Sequence, residues 1–488
     1  MHLGLDVGTS GVKAVLTGGA GELLAQSSAP LTVSSPHPRW SEQDPETWWQ
    51  AAMTAVRTLA ADHDLSAVRG LGLAGQMHGA VLLDDADRLL RPAILWNDGR
   101  SAAECAALEA AEPRSRAITG NLAMPGFTAP KLLWVQAHEP DVFARIARVL
   151  LPKDWLRLRL TGEAISDMSD AAGTLWLDVG ARRWSPGMLA ATGLSERQMP
   201  RLVEGTAPAG RLHATAASAL GLPHGLVVAG GGGDNAAGAM GIGCTAPGDA
   251  FVSLGTSGVI FVSDAAFLPD PARTVHAFCH CLPGTWHRMS VILSAGAALA
   301  WLAAVMGTTE ATLLAEAEGS APAGALVFLP YLSGERTPHN DPAAAGVFFG
   351  LTTGTDRAAM TRAVLEGAAF ALADGLDALE ARGDRIDDLV AIGGGARSAL
   401  WLGILAAATG RRLHTVQGSE VGPALGAARL ARIACGDAAP SEAAHKPPRT
   451  ATFIPDPARI AALAPRRARF RQLYPALRGL FAPSETPE

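Results

Sequence analysis

One carboxylate follows a run of glycines near the middle of the chain. Residues 230–233 are all glycine, and Asp234 and Asn235 come directly after them. Because glycine has no side chain, other groups can approach Asp234 closely, which suits a general base that contacts both a substrate and a phosphate. Successive glycines cost more chain entropy than helix capping requires, so the pattern favours catalysis over the alternative that Asp234 is a helix N-cap. We expect Asp234 and Asn235 to contact the substrate.

The sequence Gly-Thr-Ser-Gly-Val occurs twice, at residues 8–12 and at residues 255–259. Each copy lies between two apolar runs, which is typical of a β-hairpin. Glycine-rich turns between strands expose backbone N–H groups that bind phosphate. Two such turns therefore predict a chain of two homologous halves that hold one triphosphate between them. The predicted phosphate-binding residues are Gly8, Thr9, Ser10, Gly255, Thr256 and Ser257.

The two copies differ two residues before the first glycine, where one has Asp6 and the other has Ser253. An aspartate beside phosphates repels them unless a divalent cation lies between. Asp6 therefore predicts a Mg²⁺ site, bound through water, with a solvated aspartate at a strand end as the alternative. Lys13 follows the first turn and either contacts a phosphate or faces solvent; the sequence leaves both readings open.

A third glycine turn follows a strand-like apolar run in the second half of the chain. Gly393, Gly394 and Gly395 are followed by Ser398 and by a helical stretch over residues 399–409. In such an order of strand, turn and helix, an adenine or a ribose can lie against bare backbone, near the free N–H groups of the helix start. We expect these four residues to bind ATP, and a simple tight turn is the alternative.

Residues 70–75, Gly-Leu-Gly-Leu-Ala-Gly, match the dinucleotide-binding fingerprint, which would favour an NAD-dependent dehydrogenase. The fingerprint needs a helix that opens at its last glycine, whereas these glycines lie within an apolar run that ends in residues 76–79. The P-loop sequence Gly-x-x-x-x-Gly-Lys-Ser/Thr does not occur in the chain. Neither a dehydrogenase nor a P-loop ATPase is therefore favoured.

Four residues of types that bind zinc lie close together at His276, Cys279, His280 and Cys281. Apolar residues interleave them, as in a half-buried strand, and no second ligand pair follows at zinc-finger spacing. We expect a strand here rather than a metal site.

Polar and aromatic side chains interrupt two apolar segments, with Met77 and His78 in the first and Trp96 and Asn97 in the second. Sugar hydroxyls need paired donors and acceptors, and the C–H face of a sugar packs well on an aromatic ring. We expect these four residues to bind a sugar. For His78 the alternative is an ordinary core histidine.

The composition sets the broad class of the protein. With 488 residues, of which 48% are hydrophobic and 18% charged, the chain is long enough for two well-packed domains. A net charge of −6 gives no basic surface for nucleic acid. The apolar stretch over residues 295–306 is too short to cross a bilayer and predicts a buried helix, and no secretion signal precedes the first strand. Five scattered cysteines form no disulfide framework, so we expect a cytoplasmic protein without a membrane or nucleic-acid partner.

Nine segments together resemble the FGGY carbohydrate kinases, which have the actin/hexokinase-like ATPase fold. The resemblance runs from residue 1 to about residue 430. The segments are GLDVGTS at 4–10, WSEQDP at 40–45, GQMHG at 75–79, ILWNDGR at 94–100, MPGFTAPKLLW at 124–134, SDMSDAAGT at 166–174, GGDNAAG at 232–238, YLSGERTPH at 331–339 and GVFFGL at 346–351.

This resemblance implies an α/β protein of two ribonuclease-H-like domains with the catalytic cleft between them. The N-terminal domain, residues 1–244, would bind the sugar. The C-terminal domain, residues 245–488, would bind ATP and end in a loose tail from about residue 482. The resemblance also implies ATP and Mg²⁺ as cofactors, with Mg²⁺ near Asp6 and with Asp234 as the base.

The pair Met77 and His78 is the part of the resemblance that narrows the substrate. In this family the segment contacts the sugar, and a glycerol kinase is expected to have Arg-Glu there. The resemblance therefore implies a ketopentose, and the expected reaction is transfer of the γ-phosphoryl of ATP to the terminal hydroxyl of D-xylulose. A kinase for a related ketopentose or polyol, such as ribulose, is one alternative, and an actin-like or Hsp70-like ATP switch is the alternative from another class. Whether the chain forms a homodimer stays open.

Overall fold

Two mixed β-sheets, one from each half of the chain, carry the architecture. The computed structural model describes residues 1–320, 324–419 and 421–481. The loose tail that the sequence predicts from about residue 482 lies outside these residues.

The strands before residue 245 form the first sheet and several short strand pairs. In chain order they are β1 (His2–Val7), β2 (Gly11–Thr17), β3 (Leu23–Pro30), β4 (Glu42–Gln43), β5 (Gly70–Gly75), β6 (Val81–Leu83), β7 (Ala93–Ile94), β8 (Arg148–Leu150), β9 (Ile165–Asp167), β10 (Leu177–Asp178), β11 (Arg183–Trp184), β12 (Arg201–Val203), β13 (Pro208–Arg211), β14 (Val227–Ala229) and β15 (Gly232–Gly233).

The later strands form the second sheet and one further strand pair. They are β16 (Ala250–Leu254), β17 (Gly258–Asp264), β18 (His276–Cys279), β19 (Trp286–Ile292), β20 (Val327–Leu329), β21 (Val347–Phe349), β22 (Asp388–Ile392), β23 (Arg412–Val416) and β24 (Arg449–Phe453).

Helices cover the faces of both sheets. In chain order they are α1 (Pro45–Asp62), α2 (Ala102–Ala111), α3 (Ser115–Thr119), α4 (Thr128–His138), α5 (Pro140–Phe143), α6 (Pro152–Thr161), α7 (Met168–Ala172), α8 (Pro186–Ala190), α9 (Ala214–Leu220), α10 (Asp234–Ile242), α11 (Gly296–Val305), α12 (Glu310–Glu318), α13 (Arg357–Leu379), α14 (Ala399–Thr409), α15 (Gly422–Ala434), α16 (Pro440–Ala443) and α17 (Pro457–Phe481).

The two sheets share one strand order. The first contains β3-β2-β1-β5-β14, and the second contains β19-β17-β16-β22-β23. In each sheet, the first strand of the hairpin is antiparallel to its partner and parallel to the strand on its other side. This is the order of a ribonuclease-H-like sheet, so the predicted fold class is confirmed. The two copies of Gly-Thr-Ser-Gly-Val lie at the turns of β1–β2 and β16–β17, as the sequence predicts.

The glycine-rich run Gly70–Gly75 is strand β5 along its whole length, which excludes the dinucleotide-binding turn. Successive side chains of a strand point to opposite faces. Leu71 and Leu73 belong to the hydrophobic core of the first half, while Gly70 and Gly72 face α15. A Cβ atom on Gly72 would lie 1.8 Å from the carbonyl oxygen of Ala427. These glycines therefore serve close packing of a helix on the sheet.

Helix α15 follows the second sheet in the chain but packs against β1 and β5 of the first sheet and against α10. A Cβ atom on Gly4 would lie 2.0 Å from the carbonyl oxygen of Ala424, and one on Gly426 would lie 1.8 Å from that of Ala237. The backbone of α15 is therefore in direct contact with the backbone of β1 on one side and with that of α10 on another. This helix joins the two halves of the molecule.

A hydrophobic core also crosses between the halves. Phe127 and Trp176 from the first half lie in one cluster with Phe251, Phe261 and Phe278 from the second sheet. The helix α17 packs with α13 and α14 on the far side of the second half. The halves therefore meet through a continuous apolar contact as well as through α15.

The segment with candidate zinc ligands forms strand β18 and the turn after it. Nδ1 of His276 donates a hydrogen bond to Oδ1 of Asn121 (2.9 Å), and the Cys281 thiol lies 3.4 Å from the carbonyl oxygen of Ala236. Among the described residues, the one group of His, Cys, Asp and Glu atoms compact enough for a metal ion is His2, Cys435 and Asp437. The predicted strand is therefore present at His276–Cys279.

Helix α11 takes up the apolar stretch around residue 300, with Trp301 and Val305 on an exposed face. In the parts of the chain that the structure describes, no single helix is both long and apolar enough to cross a bilayer. Helices α11 and α12 reach that length and apolarity only as a pair, and they meet at 97°.

We predict that Gly72→Ala destabilises the protein by about 1–3 kcal/mol, as overpacking of a tight contact does. The added Cβ would meet backbone of Ala427, which has no flexible side-chain end to move away. The measurement is the midpoint of thermal unfolding, Tm. Gly479→Ala is the matched control, because no atom lies within 4 Å of a Cβ built at this position in α17. Equal Tm values for the two variants would contradict the proposed packing role.

Candidate active site

Three adjacent parallel strands place the two candidate catalytic carboxylates at one edge of the first sheet. Asp6 of β1 pairs with Ala74 of β5, and Ala74 pairs on its other side with Gly232 of β15. Strands lie about 4.8 Å apart, so Asp6 and Gly232 are about 10 Å apart across β5. Asp234 begins α10 two residues later. The carboxyl ends of β1 and β15 thus bring Asp6 and Asp234 together.

A bulge in the glycine run directs the chain toward Asp234. Both β14 and β15 pair with β5, but Val228 lies opposite Leu71 whereas Gly232 lies opposite Ala74. One extra residue is therefore present between the two pairs, as in a β-bulge. Gly231 has φ of +76°, and a Cβ atom there would lie 2.0 Å from the carbonyl oxygen of Leu73. A residue with a side chain does not fit at this position.

The surroundings of Asp6 disfavour the ionised form of its carboxyl group. Burial, together with the nearby charge of Asp234, raises the pKa of Asp6 to about 7, and Lys13, its cross-strand partner, acts in the opposite direction. Within the described residues, its buried Oδ1 atom has no hydrogen-bond partner. A buried carboxylate oxygen without a donor fits a hydrated Mg²⁺ ion, which prefers oxygen ligands and keeps several of its waters.

Asp234 is the first residue of α10, and Gly233 occupies the N-cap without a side-chain cap. The alternative that Asp234 is the helix N-cap is therefore wrong. Its Oδ1 accepts hydrogen bonds from the backbone N–H and the side-chain amide of Asn235, at 2.7 and 2.9 Å. Burial raises the pKa of Asp234 to about 6, and the Asn235 hydrogen bonds act against that rise. The group is still mostly ionised at neutral pH, so it can accept a proton.

A cleft between the two halves opens on Asp234. It has a volume of about 620 Å³ and is lined from the first half by Asp234 and Asn235 and from the second half by Ser253, Gly393 and Gly394. Ser253 is the counterpart of Asp6 in the repeated hairpin. The cleft therefore brings together the predicted base, strand β16 of the second hairpin and the third glycine turn.

A second cavity, of about 1100 Å³, adjoins this cleft through Gly394 and Arg397, which line both. Its walls include Gly255 and Thr256 of the second hairpin turn and residues of α11 and α12. Gly395 and Ser398 also line it. This volume is large enough for a nucleotide.

The third glycine turn has the predicted order of strand, turn and helix. Gly393 has φ of +86°, and a Cβ atom on Gly395 would lie 2.8 Å from the ring of Trp401. Residues Gly394–Arg397 form one 3₁₀ turn. The Ser398 hydroxyl accepts a hydrogen bond from the Trp401 N–H (3.2 Å) and is the N-cap of α14.

The first hairpin turn contacts the candidate sugar residues. The Thr9 hydroxyl donates to Oε1 of Gln76 (2.8 Å) and accepts from the indole N–H of Trp96 (2.9 Å). The Gln43 side chain donates to the Thr9 carbonyl (2.7 Å). Ser10, the next residue, is exposed. The Thr9 side chain is thus held on the side of Trp96, and its part in phosphate binding stays a prediction.

His78 is a neutral histidine whose Nε2 has no hydrogen-bond partner among the described residues. Its Nδ1 lies 2.6 Å from the carbonyl oxygen of Gly173, and because a carbonyl only accepts, Nδ1 carries the proton. Burial lowers the pKa of His78 to about 3, and the charges of Lys131 and Arg336 act in the same direction. Nε2 is then an acceptor for a hydroxyl. The ring also packs edge-on against Phe127, with centroids 4.7 Å apart.

The other candidate sugar residues are placed differently. Met77 is buried, and a Cβ atom on Gly233 would lie 2.9 Å from its Cγ, so Met77 contacts the residue before Asp234. Asn97 is exposed and lines a separate groove with His37 and Trp40. Its contact with a sugar stays a prediction.

Sequence reasoning missed several residues that support this site. Gly173 accepts from His78, Phe127 packs on that ring, and the Ser169 hydroxyl accepts a hydrogen bond from the Gly233 N–H (3.0 Å). Each lies in a segment that carries the family resemblance, SDMSDAAGT or MPGFTAPKLLW. That resemblance was the available signal, but it assigns these segments no role.

Comparison with known proteins agrees with this geometry. The N-terminal domain of the FGGY family of carbohydrate kinases matches residues 1–241, and its C-terminal domain matches residues 250–435. Xylulose kinase of Escherichia coli K12 is 55% identical over 485 residues, which cover 99% of this chain and 100% of that protein.

Solved structures extend the agreement to three dimensions. A xyloylose kinase from Brucella ovis has a TM-score of 0.94 and 54% identity, covering 98% of this chain and 99% of that one. Xylulose kinase from Rhodospirillum rubrum has a TM-score of 0.88 and 33% identity over the same shares of the two chains. The chain therefore belongs to the FGGY family of carbohydrate kinases and has their two-domain, actin/hexokinase-like fold.

Proposed function

We propose that this protein transfers the γ-phosphoryl group of ATP to the terminal hydroxyl of D-xylulose, giving D-xylulose 5-phosphate and ADP. The observation that carries the proposal is the position of Asp234, an ionisable carboxylate in a cleft lined by both halves and by the glycine turn at Gly393 and Gly394. The 55% identity to a protein named xylulose kinase supports the choice of sugar. Membership of a carbohydrate kinase family implies ATP as the co-substrate.

We assign the sugar to the N-terminal domain, residues 1–244, and ATP to the C-terminal domain, residues 245–488. The adenosine part would lie in the 1100 Å³ cavity beside Gly395 and Ser398. The phosphates would extend past Thr256 into the adjoining cleft and toward Asp234. Backbone N–H groups of glycine turns bind phosphate oxygens in this kind of geometry. The homodimer and the cytoplasmic location stay predictions.

Mg²⁺ would bind near Asp6 through water, because Oδ1 of Asp6 is buried without a donor. Bound there, the ion would neutralise charge on the phosphates of ATP. A nearby cation also favours the ionised form of Asp6 over the protonated form that burial favours. Lys13 lies opposite Asp6 in the hairpin and adds positive charge on the same side.

Asp234 would act as the general base. Phosphoryl transfer proceeds through a loose transition state, so the protein mainly positions the two substrates and stabilises charge. Asn235 holds one oxygen of the carboxylate with two hydrogen bonds. Within the described residues the other oxygen, Oδ2, accepts no hydrogen bond, which leaves it available to orient the sugar hydroxyl and accept its proton late in the reaction.

The sugar would lie between Asp234 and His78. Nε2 of His78 would accept a hydrogen bond from a sugar hydroxyl, Met77 would contact its apolar face, and Trp96 would close one side, held there by Thr9. Asn97 and Asn235 complete the set of proposed sugar-binding residues. A neutral imidazole and a thioether suit an uncharged sugar, whereas a charged substrate would need a paired charge.

A panel of sugars tests the substrate. We expect ADP release with D-xylulose to exceed that with ribulose, with aldoses and with polyols, and we expect little ADP release without sugar. Discrimination of this kind follows when buried polar groups are satisfied by one substrate and left unpaired by another. Faster turnover with another sugar would change the assigned substrate. Sugar-independent hydrolysis would favour the ATP switch instead.

We predict that Asp234→Asn lowers kcat by about 10²–10⁴, the usual contribution of a general base, while calorimetric ATP binding is retained. Asparagine keeps the shape of the side chain and removes the proton acceptor. Asp62→Asn, at the exposed end of α1, is the control and should leave kcat unchanged. An Asp234→Asn enzyme with more than about a tenth of wild-type turnover would refute the role as base.

The pH dependence of the wild-type enzyme gives a second check on Asp234. A base must be ionised to accept a proton, and burial raises the pKa of Asp234 to about 6. At saturating substrates, kcat should therefore rise as the pH increases through about 6 and then level off. A kcat that stays constant down to about pH 5 would be inconsistent with this base.

We predict that His78→Ala raises the KM for xylulose about tenfold and leaves the KM for ATP nearly unchanged. The loss of one hydrogen bond costs about 1 kcal/mol, with more if the sugar hydroxyl is left buried and unpaired. His138→Ala, an exposed histidine on α4, is the control. Equal increases in both KM values would remove His78 from the sugar site.

A further inference from the structure

Arg157 contacts the start of the glycine run that leads to Asp234. It lies on α6 and has no exposed surface. Its two terminal nitrogens donate hydrogen bonds to the carbonyl oxygens of Ala229 and Gly230, at 2.6 and 2.5 Å. Ala229 is the last residue of β14, and Gly230 is the first of the four glycines. One rigid, planar side chain therefore fixes two successive peptide units.

Ser169 contacts the other end of the same run. Its hydroxyl accepts a hydrogen bond from the Gly233 N–H (3.0 Å) and donates one to Oδ2 of Asp167 (2.5 Å). The N–H of Ser169 donates to the same Asp167 oxygen (2.8 Å). Gly233 is the residue directly before Asp234, so the run is held at both ends by buried side chains.

A charged layer, which we define as Lys153, Asp154, Arg157, Asp167 and Asp170, lies beneath the run. All five side chains are buried. The Lys153 ammonium pairs with Asp154, with Asp167 (3.0 Å) and with Asp170 (3.4 Å). Lys153 and Ser169 thus share one partner, Asp167, which links the layer to Gly233.

The layer contains three carboxyl groups and two cationic side chains. Burial, with the nearby charges of Asp154, Asp167 and Asp234, raises the pKa of Asp170 well above its usual range, while the attraction of Lys153 opposes that rise. Buried ion pairs add little net stability because desolvation offsets their attraction. Stability alone therefore does not account for five such side chains beneath one turn, and their position points to a role in geometry.

Backbone contacts also support the run. The N–H groups of Gly230 and Gly231 donate to the carbonyl oxygens of Ala207 (2.8 Å) and Gly205 (2.9 Å), and β15 pairs with β5. Gly230 lies against Glu204, and Gly231 lies against Leu73, with backbone oxygens 2.2 and 2.0 Å from where Cβ atoms would be. The run has no side chains of its own to pack. Its path depends on these backbone contacts and on the hydrogen bonds from Arg157 and to Ser169.

We propose that Arg157 and Ser169 are positioning residues that hold the two ends of the glycine run, Ser169 being held in turn by Asp167 and Lys153, so that Asp234 meets the sugar hydroxyl and the γ-phosphate in line. This inference rests on the proposed function of Asp234 as the base. A displacement of about 1 Å at a catalytic group can lower the rate by about 10². Neither Arg157 nor Ser169 contacts a proposed substrate, so their effect should appear in kcat.

The test compares Ser169→Ala with Ser166→Ala. Both serines are buried, three residues apart, but the Ser166 hydroxyl has no hydrogen-bond partner in the described part of the chain. We expect Ser169→Ala to lower kcat by about tenfold, less than the loss of a base, with the KM for ATP and the Tm close to wild type. Ser166→Ala should keep wild-type kcat.

A second pair of variants tests the other end of the run. Arg157→Met should lower kcat by about 10 to 100-fold. Arg157→Lys should recover little of that lost kcat, because an ammonium does not donate in the planar fork geometry of guanidinium. Arg159→Met on the same helix is the control, since Arg159 is exposed and pairs with Glu46. If Arg157→Met does not fold, Ser169→Ala decides the question.

Two outcomes would overturn the inference. One is that the wild-type enzyme is active and that Ser169→Ala and Arg157→Met both keep kcat within about twofold of the wild-type value. A misplaced base should cause a larger loss than that. The other is a rise in the KM for ATP or for xylulose without a loss of kcat, which would place these residues in binding. If instead the wild type and both control variants show no xylulose-dependent ADP release, the proposed function fails, and this inference fails with it.

Discussion

Two carboxylates that repel each other, Asp6 and Asp234, lie at the ends of strands separated by a single strand of the first sheet. Burial makes their charges costly, and the pKa of each is raised as a result. The surroundings of both groups compensate for this cost. Asn235 donates two hydrogen bonds to Asp234, and Lys13 lies opposite Asp6. The second half then supplies the glycine turn at Gly393 and Gly394 to the cleft, where phosphates and a cation would complete the balance of charge. In this arrangement the second hairpin has Ser253 where the first has Asp6.

Sequence reasoning found the features that depend on local pattern. The repeated Gly-Thr-Ser-Gly-Val marked both hairpins, and the order of strand, glycine turn and helix around Gly393 matches the structure. The apolar context of residues 70–75 argued against a dinucleotide-binding turn, and the structure has strand β5 there. What the sequence did not predict is contact between distant residues. Arg157 bonds Gly230 from 73 positions away, and Ser169 bonds Gly233 from 64 positions away. No periodicity or composition marks such a pair, because each residue is unremarkable in its own segment.

The same limit applies to how the candidate sugar residues are divided. Trp96 and Asn97 are neighbours in the chain, yet the indole of Trp96 faces Thr9 while Asn97 lines an outer groove. Their separation follows from the turn after β7, where the buried Asp98 accepts hydrogen bonds from Arg100 and from the Ser41 N–H. Neighbouring residues of one sequence motif can thus have different roles. Trp96 lies at the candidate site, whereas Asp98 holds the loop that carries Trp96.

The position of α15 affects how the molecule can be assembled during synthesis. A ribosome makes the chain from its amino end, so β1 and β5 emerge well before residues 422–434, which cover their glycine face. Until then the strip around Gly4 and Gly72 has no helix to pack against. Domains often fold as units while the chain is being made. Here, however, the packing of the first sheet is incomplete until residues 422–434 have been translated. The packing of the first sheet is therefore completed by a part of the chain that is translated late.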